Sequence, residues 1–242
     1  YRPRINELIN QSKDILGGNN LADRWKSKST RGKNIELKYY DATNKFNKAI
    51  IEIGKKNLDP QTFAAEIEQA MVNYAADITR TFPVSGKFSE EQLQIYKIVL
   101  DAMNAAIDSV KEGNNIMQPQ EISEKVITEG LVNIGLLKGD PEELHKSGAY
   151  KDFYMHKIGH WLGLDVHDAG EYTEGDEFMT FKPGMITTIE PGIFISSKMD
   201  VDDKWKGIGV RIEDDILVTK DGNENLTKKV PSDPNEIESL MS

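Results

Sequence analysis

The sequence predicts an α+β fold. Two strongly periodic helices come first, and stretches rich in β-branched residues follow them, a segregated order that argues for an antiparallel or mixed sheet flanked by helices. No internal repeat and no low-complexity segment disturbs that pattern.

Residues 1–40 are polar and basic. Gly17-Gly-Asn-Asn20 and Trp25-Lys-Ser-Lys-Ser-Thr-Arg-Gly32 read as turn or linker material, with the basic run as a solvated surface. Phe46, Ile50 and Ile53 recur at helical spacing within 41–56. After the break at Asn57-Leu-Asp-Pro60, Gln61–Tyr74 presents Phe63, Ile67, Met71 and Tyr74 on one helical face. Ala75-Ala-Asp-Ile-Thr-Arg-Thr-Phe-Pro83 then reads as a strand stopped by proline. Asp77 there would, taken alone, be a turn or cap residue.

Ser89 and Gln92 form a capping box. The helix it opens carries Leu93, Tyr96, Leu100, Met103, Ile107 and Val110, a core-packing stripe that ends at Gly113. A second helix over roughly Gln118–Leu137 presents Ile122, Val126 and Leu131 and closes at Gly139-Asp-Pro141. Lys182-Pro-Gly184 reads as a turn, and Met185–Ile195 and Ile208–Thr219 as strands joined by an acidic loop at 196–206. Asp221–Leu226 reads as a turn leading to a short final helix near Asn235–Met241.

The composition bounds the function. A net charge of −10 over 242 residues leaves no broad basic surface for nucleic acid or anionic lipid. The chain has no cysteine, which removes disulfides, thiolate metal sites and a cysteine nucleophile. No apolar run is long enough to span a bilayer, and Tyr1-Arg-Pro-Arg leads into a polar segment, so cytoplasmic placement is the expectation.

Three of the four histidines, His156, His160 and His167, fall within Asp152–Asp168 among glycines and large apolar residues. A solvated loop has no use for that mixture, whereas a buried site uses imidazole as ligand or proton carrier. His156 and His160 have a spacing common for metal ligands on a helix, but Lys157 stands where the helical zinc-protease motif requires glutamate. On the last long strand Arg211 and Glu213 share one face. Such a pair is ordinarily exposed; the flanking glycines and the second acidic strand ending at Glu190-Pro-Gly argue for a site. Asp77, His160, Glu190 and Glu213 together make an oxygen-rich set suited to Mn²⁺, Fe²⁺, Co²⁺ or Zn²⁺, with carboxylates enough to bridge two ions.

His156-x3-His160-Trp-Leu-Gly-Leu-Asp-Val-His167-Asp, Ile189-Glu190-Pro-Gly and Val210-Arg-Ile-Glu213-Asp-Asp resemble the aminopeptidase P (Xaa-Pro aminopeptidase) family of pita-bread metallopeptidases. Asp77-Ile-Thr-Arg-Thr-Phe-Pro-Val and Gly222-Asn-Glu-Asn-Leu-Thr carry the same resemblance, which runs from about Asn73 to the C-terminus. It implies the pita-bread fold and a manganese-dependent peptidase that removes the N-terminal residue from peptides with proline second. Two divalent ions, most often Mn²⁺, would activate a water between them. Asp77 and Glu213 would bridge the ions, with His160 and Glu190 holding the second and Glu190 taking the proton from the attacking water. His156 and His167 would line the substrate pocket, His167 stabilising the tetrahedral intermediate or carrying a proton, and Arg211 would orient the carboxylates or a substrate-side group. The resemblance also implies a homo-oligomer, dimer or tetramer. A prolidase cleaving Xaa-Pro dipeptides, or an inactive pita-bread module that binds peptides or proteins, are the alternatives.

The chain departs from the family ahead of Asn73. The family carries a further metal aspartate eleven residues before the position of Asp77, where this chain has Glu66 in a helical pattern. Its histidine-bearing strand and much of the first half of its pseudo-twofold repeat have no match. Either residues ahead of Asn73 are missing from the sequence, or a deletion has left an impaired metal site; the first is expected, because losing a central strand strands backbone polar groups. Residues 1–60 are accordingly set apart as an N-terminal segment, read as the remnant of a preceding domain, and 61–242 as the catalytic domain.

Overall fold

A computed structural model of the chain describes residues 74–241 in full, together with the backbone of two strands, β1 (Lys26–Ser29) and β2 (Asn34–Tyr40). The helix expected over 41–56, all but Tyr74 of the one expected over Gln61–Tyr74, Glu66 and the boundary at residue 60 lie outside the described residues, and Tyr74 is not helical. β1 corrects the reading of 25–32 as turn or linker. Lys-Ser-Lys-Ser has little strand propensity of its own, and pairing supplies the order: β1 lies antiparallel to β2, and β2 antiparallel to β3 (Asp77–Pro83).

β3 is buried along its whole length. Ile78 and Phe82 point one way into the core, whereas Asp77, Thr79 and Thr81 point the other, as a period of two requires. The capping box forms as expected: Ser89 accepts from Gln92 N and the Gln92 side chain accepts from Ser89 N, opening α1 (Glu90–Ser109). Ile95, Tyr96, Val99, Ala102, Met103 and Ala106 form its buried stripe. α2 (Gln118–Asn133) packs against it closely because Gly130 has no side chain; a Cβ there would meet Ile98 at 2.6 Å.

α2 ends four residues earlier than expected, and its buried face is Pro119, Ser123, Ile127, Thr128 and Leu131, with Ile122 and Val126 only half-buried. Asp140-Pro141 starts an element as well as ending the connection. Asp140 accepts from the amides of Glu142 and Glu143 and Pro141 takes the first turn of α3 (Pro141–Ser147), the ordinary preference of both residue types. A 3₁₀ turn, Ala149–Asp152, follows.

The histidine-bearing stretch is irregular rather than helical; a β4–β5 hairpin (Thr173–Glu174, Glu177–Phe178) comes after it. The two long strands expected at 185–195 and 208–219 are each interrupted. They become β6 (Ile186–Ile189) and β7 (Gly192–Phe194), then β8 (Gly209–Arg211) and β9 (Asp214–Thr219). β6 pairs with β9 and β7 with β8, both antiparallel. The segment read as a turn at 221–226 contains β10 (Gly222–Asn225), which pairs back on β9, and α4 (Pro234–Met241) closes the described chain.

Candidate metal centre

The two interruptions hold the two glutamates. Ile189 is paired with Asp214 and Gly192 with Arg211, so the register of both ladders, carried through the gap, sets Glu190 opposite Glu213. Pro191 lacks an amide hydrogen, which breaks the hydrogen-bond ladder there. Like charges directly opposite on a sheet repel. Here both are buried: Glu213 is fully inaccessible and Glu190 is 9% exposed.

β3 brings in the third carboxylate. Thr79 and Glu213 form an antiparallel bridge, Glu213 N donating to Thr79 O at 3.0 Å and Thr79 N to Glu213 O at 3.4 Å. This lays Asp77 on the same buried layer. Neither carboxylate oxygen of Asp77 has a hydrogen-bond partner, although the residue is wholly inaccessible. An orphaned buried carboxylate is costly, and a cation is the usual compensation.

His160 arrives from the irregular stretch. Its amide donates to Thr188 Oγ1 at 3.1 Å and its carbonyl accepts from Thr188 N at 3.0 Å, so the histidine is docked on β6 two residues before Glu190. Ile158 O accepts from Glu190 N at 2.6 Å. Gly159 permits that approach, since a Cβ would stand 1.9 Å from the Thr188 carbonyl oxygen. Nδ1 of His160 lies 3.0 Å from Trp161 O, which assigns the ring proton to Nδ1 and turns Nε2 inward. Nε2 is 3.6 Å from Asp77 Oδ2 and 3.6 Å from Glu190 Oε1. Those spacings are long for hydrogen bonds and suit donors sharing a cation at about 2.0–2.2 Å from each.

The donor atoms fall into two overlapping groups, each within 4.8 Å: Asp77, His160 and His167, and His160, Glu190 and Glu213. His167 is exposed, its ring 4.1 Å from that of His160 in an edge-on contact. His156 belongs to neither group. It stands between Tyr154 and Phe194, ring centroids 5.0 and 5.6 Å away. Arg211 Nε lies 3.9 Å from Glu190 Oε2, and Thr81 Oγ1 both donates to Arg211 O and accepts from Arg211 N, fixing the strand that bears it. Six of the seven residues singled out in the sequence, Asp77, His160, His167, Glu190, Arg211 and Glu213, are thus brought together around His160, while His156 lies against Tyr154 and Phe194.

Electrostatics fit the same picture. Burial pulls the His160 pKa down, but the Asp77 carboxylate, the Trp161 carbonyl and Glu190 outweigh it and hold the imidazole above its ordinary value. Burial and the neighbouring Asp77 charge push the Asp215 carboxyl well above the usual carboxylate range. Its oxygens accept from Asp77 N at 3.3 and 3.4 Å. Asp214 instead points away, to Arg80 at 2.7 Å and to Thr227 and Asn225. Sequence reasoning missed Thr79, Thr188 and Asp215. The period of two was their signal, since Thr79 and Asp215 each stand two residues beyond a carboxylate already singled out.

Metallopeptidase family M24 matches residues 32–220. The chain belongs to that family. Xaa-Pro aminopeptidase of Haemophilus influenzae is 52% identical over 169 residues, which cover 70% of this chain and 39% of that protein. Pseudomonas aeruginosa aminopeptidase PepP superposes with a TM-score of 0.69 at 54% identity, over 69% of this chain and 38% of that one. Zinc-substituted Escherichia coli aminopeptidase P in complex with product gives 0.67 at 47% identity, over 69% and 38%. The fold of this M24 chain is thus the pita-bread fold of aminopeptidase P, and it spans about two fifths of the length of the curated relatives it matches.

Proposed function

We propose that the chain is a metal-dependent aminopeptidase that hydrolyses the N-terminal bond of peptides whose second residue is proline. The observation that carries this is the excess of buried carboxylate around His160: Asp77, Glu190 and Glu213 converge there, with the Arg211 guanidinium 3.9 Å from Glu190. Likeness to Xaa-Pro aminopeptidases supplies the substrate class.

In this reading Asp77, His160, Glu190 and Glu213 hold two divalent ions, manganese first among Mn²⁺, Zn²⁺, Co²⁺ and Fe²⁺. Bound there, the ions supply Lewis-acid polarisation of the scissile carbonyl and a water acidic enough to be deprotonated near neutral pH. Glu190 would serve as the general base, with the Arg211 guanidinium beside its other oxygen keeping the carboxylate aligned. His167, exposed beside His160, stabilises charge on the substrate oxygen or hands a proton to the leaving amine. His156, between Tyr154 and Phe194, would line the substrate pocket.

The test is release of the N-terminal residue from an Xaa-Pro-Yaa tripeptide, with Mn²⁺ and then with chelator. An Xaa-Pro dipeptide and a tripeptide lacking proline run alongside. Chelator-sensitive cleavage of the proline tripeptide alone is the expected result. Cleavage of only the dipeptide makes the chain a prolidase, and no cleavage by folded, metal-supplied protein leaves a binding module.

A further inference from the structure

Four buried threonines stand around the site, and three of them act on main chain. Thr81 holds Arg211 through its backbone, Thr188 accepts from the His160 amide, and Thr187 donates to the His160 carbonyl. Thr79 differs. Its hydroxyl donates to Glu213 Oε2, a carboxylate oxygen of the candidate ligand itself. The two residues exchange both backbone hydrogen bonds, which places their side chains next to one another on the same face. Thr79 is wholly inaccessible, so no water competes for the contact.

We propose that Thr79 is a positioning residue whose hydroxyl sets the orientation of the Glu213 carboxylate toward the metal. The physical need is specific to glutamate. Its last torsion joins a tetrahedral carbon to a planar carboxylate, and the energy well is broad. The bridge between β3 and the β8–β9 break fixes the Glu213 backbone but not that final rotation. The Thr79 hydroxyl, donating to one of its oxygens, restrains that rotation. Thr79 is suited to the task because a β-branched residue has a restricted χ1, and the strand backbone of β3 holds it further. Asp77 receives the reciprocal treatment, its amide held by Asp215 from the opposite strand. Each of the two inaccessible carboxylates is thereby steadied by the residue two places beyond the other.

This rests on the metal-centre reading, and the experiment separates the two. Metal-stripped wild type, Thr79→Val, Thr79→Ser and Thr79→Ala are titrated calorimetrically with Mn²⁺, with thermal unfolding of each metal-free form recorded in parallel. Thr79→Val keeps the shape and removes the donor; it is expected to bind Mn²⁺ about 10–100-fold more weakly, the usual effect of losing a hydrogen bond to a ligand. Thr79→Ser keeps the donor and is expected to bind within about threefold of wild type, with Thr79→Ala as weak as Thr79→Val. Should Thr79→Val fail to fold, the serine and alanine variants carry the comparison, since both lack the methyl group. Equal affinity across all four proteins overturns the proposal, as does a serine variant as weak as valine or alanine. A folded wild type that binds no Mn²⁺ overturns the metal-centre reading instead.

Discussion

Asp77 has opposite effects in the empty and the loaded molecule. Without metal it is an inaccessible carboxylate with neither oxygen hydrogen-bonded, and in the proposed reading it is a metal ligand. Replacing it by asparagine keeps the shape and removes the charge. Asp77→Asn should therefore weaken Mn²⁺ binding by more than about 100-fold, beyond what loss of an outer-shell partner does. It should leave the metal-free protein at least as stable at pH 8, since the unpaired buried charge is gone. Calorimetry and thermal melts on the one variant check both signs. His160 behaves conversely with pH. Its folded pKa lies above the unfolded value, so its contribution to metal-free stability is full below the unfolded pKa and is lost as pH rises through the folded one. The proton and the metal compete for Nε2, so Mn²⁺ affinity should fall as pH drops through the same window, with proton release on binding. Affinity independent of pH between roughly 5 and 8 would contradict that competition.

At the scale of elements, what was legible in the sequence was local. Ser89 and Gln92 specify the start of α1 within four residues, and Ser89→Ala should cost about 1 kcal/mol, read from the unfolding midpoint in denaturant. The interruptions at Glu190 and Glu213 were not legible. Ile186–Phe194 is β-branched or aromatic on either side of Glu190-Pro-Gly192, and only a partner strand with matching register shows that the two glutamates face each other. β1 and β2 escaped notice for a related reason: Lys-Ser-Lys-Ser is strand only because β2 and then β3 pair alongside. Asp140-Pro141 was legible and misread as an ending, though both residues favour helix starts. Gly159 stands at the junction of element and site, where a side chain has no room beside Thr188. Gly159→Ala should lose about 1–3 kcal/mol through overpacking and should also lower metal affinity, since it displaces the residue before His160.

Across the whole molecule, the site is a meeting of β3, the histidine-bearing stretch and the interrupted β6–β9 ladders, held over the α1–α2 layer. All seven candidate residues were named from motifs because each motif is short and contiguous. The network that orients them was not, because Thr79–Glu213 and Asp77–Asp215 join residues more than 130 positions apart. A ligand that ties such distant segments together stabilises the fold as a whole. Mn²⁺ at about 100 times its dissociation constant should add about 2.7 kcal/mol, or roughly 5–10 °C in Tm, and chelator should remove it. Whether these side chains form a metal centre at all is decided by titrating the metal-stripped chain with Mn²⁺ while recording its electron paramagnetic resonance, beside Glu213→Gln. Two ions per chain with a spin-coupled signal, lost in the variant, is the predicted result. A folded wild type that binds none, or binding that Glu213→Gln leaves unchanged, would contradict it.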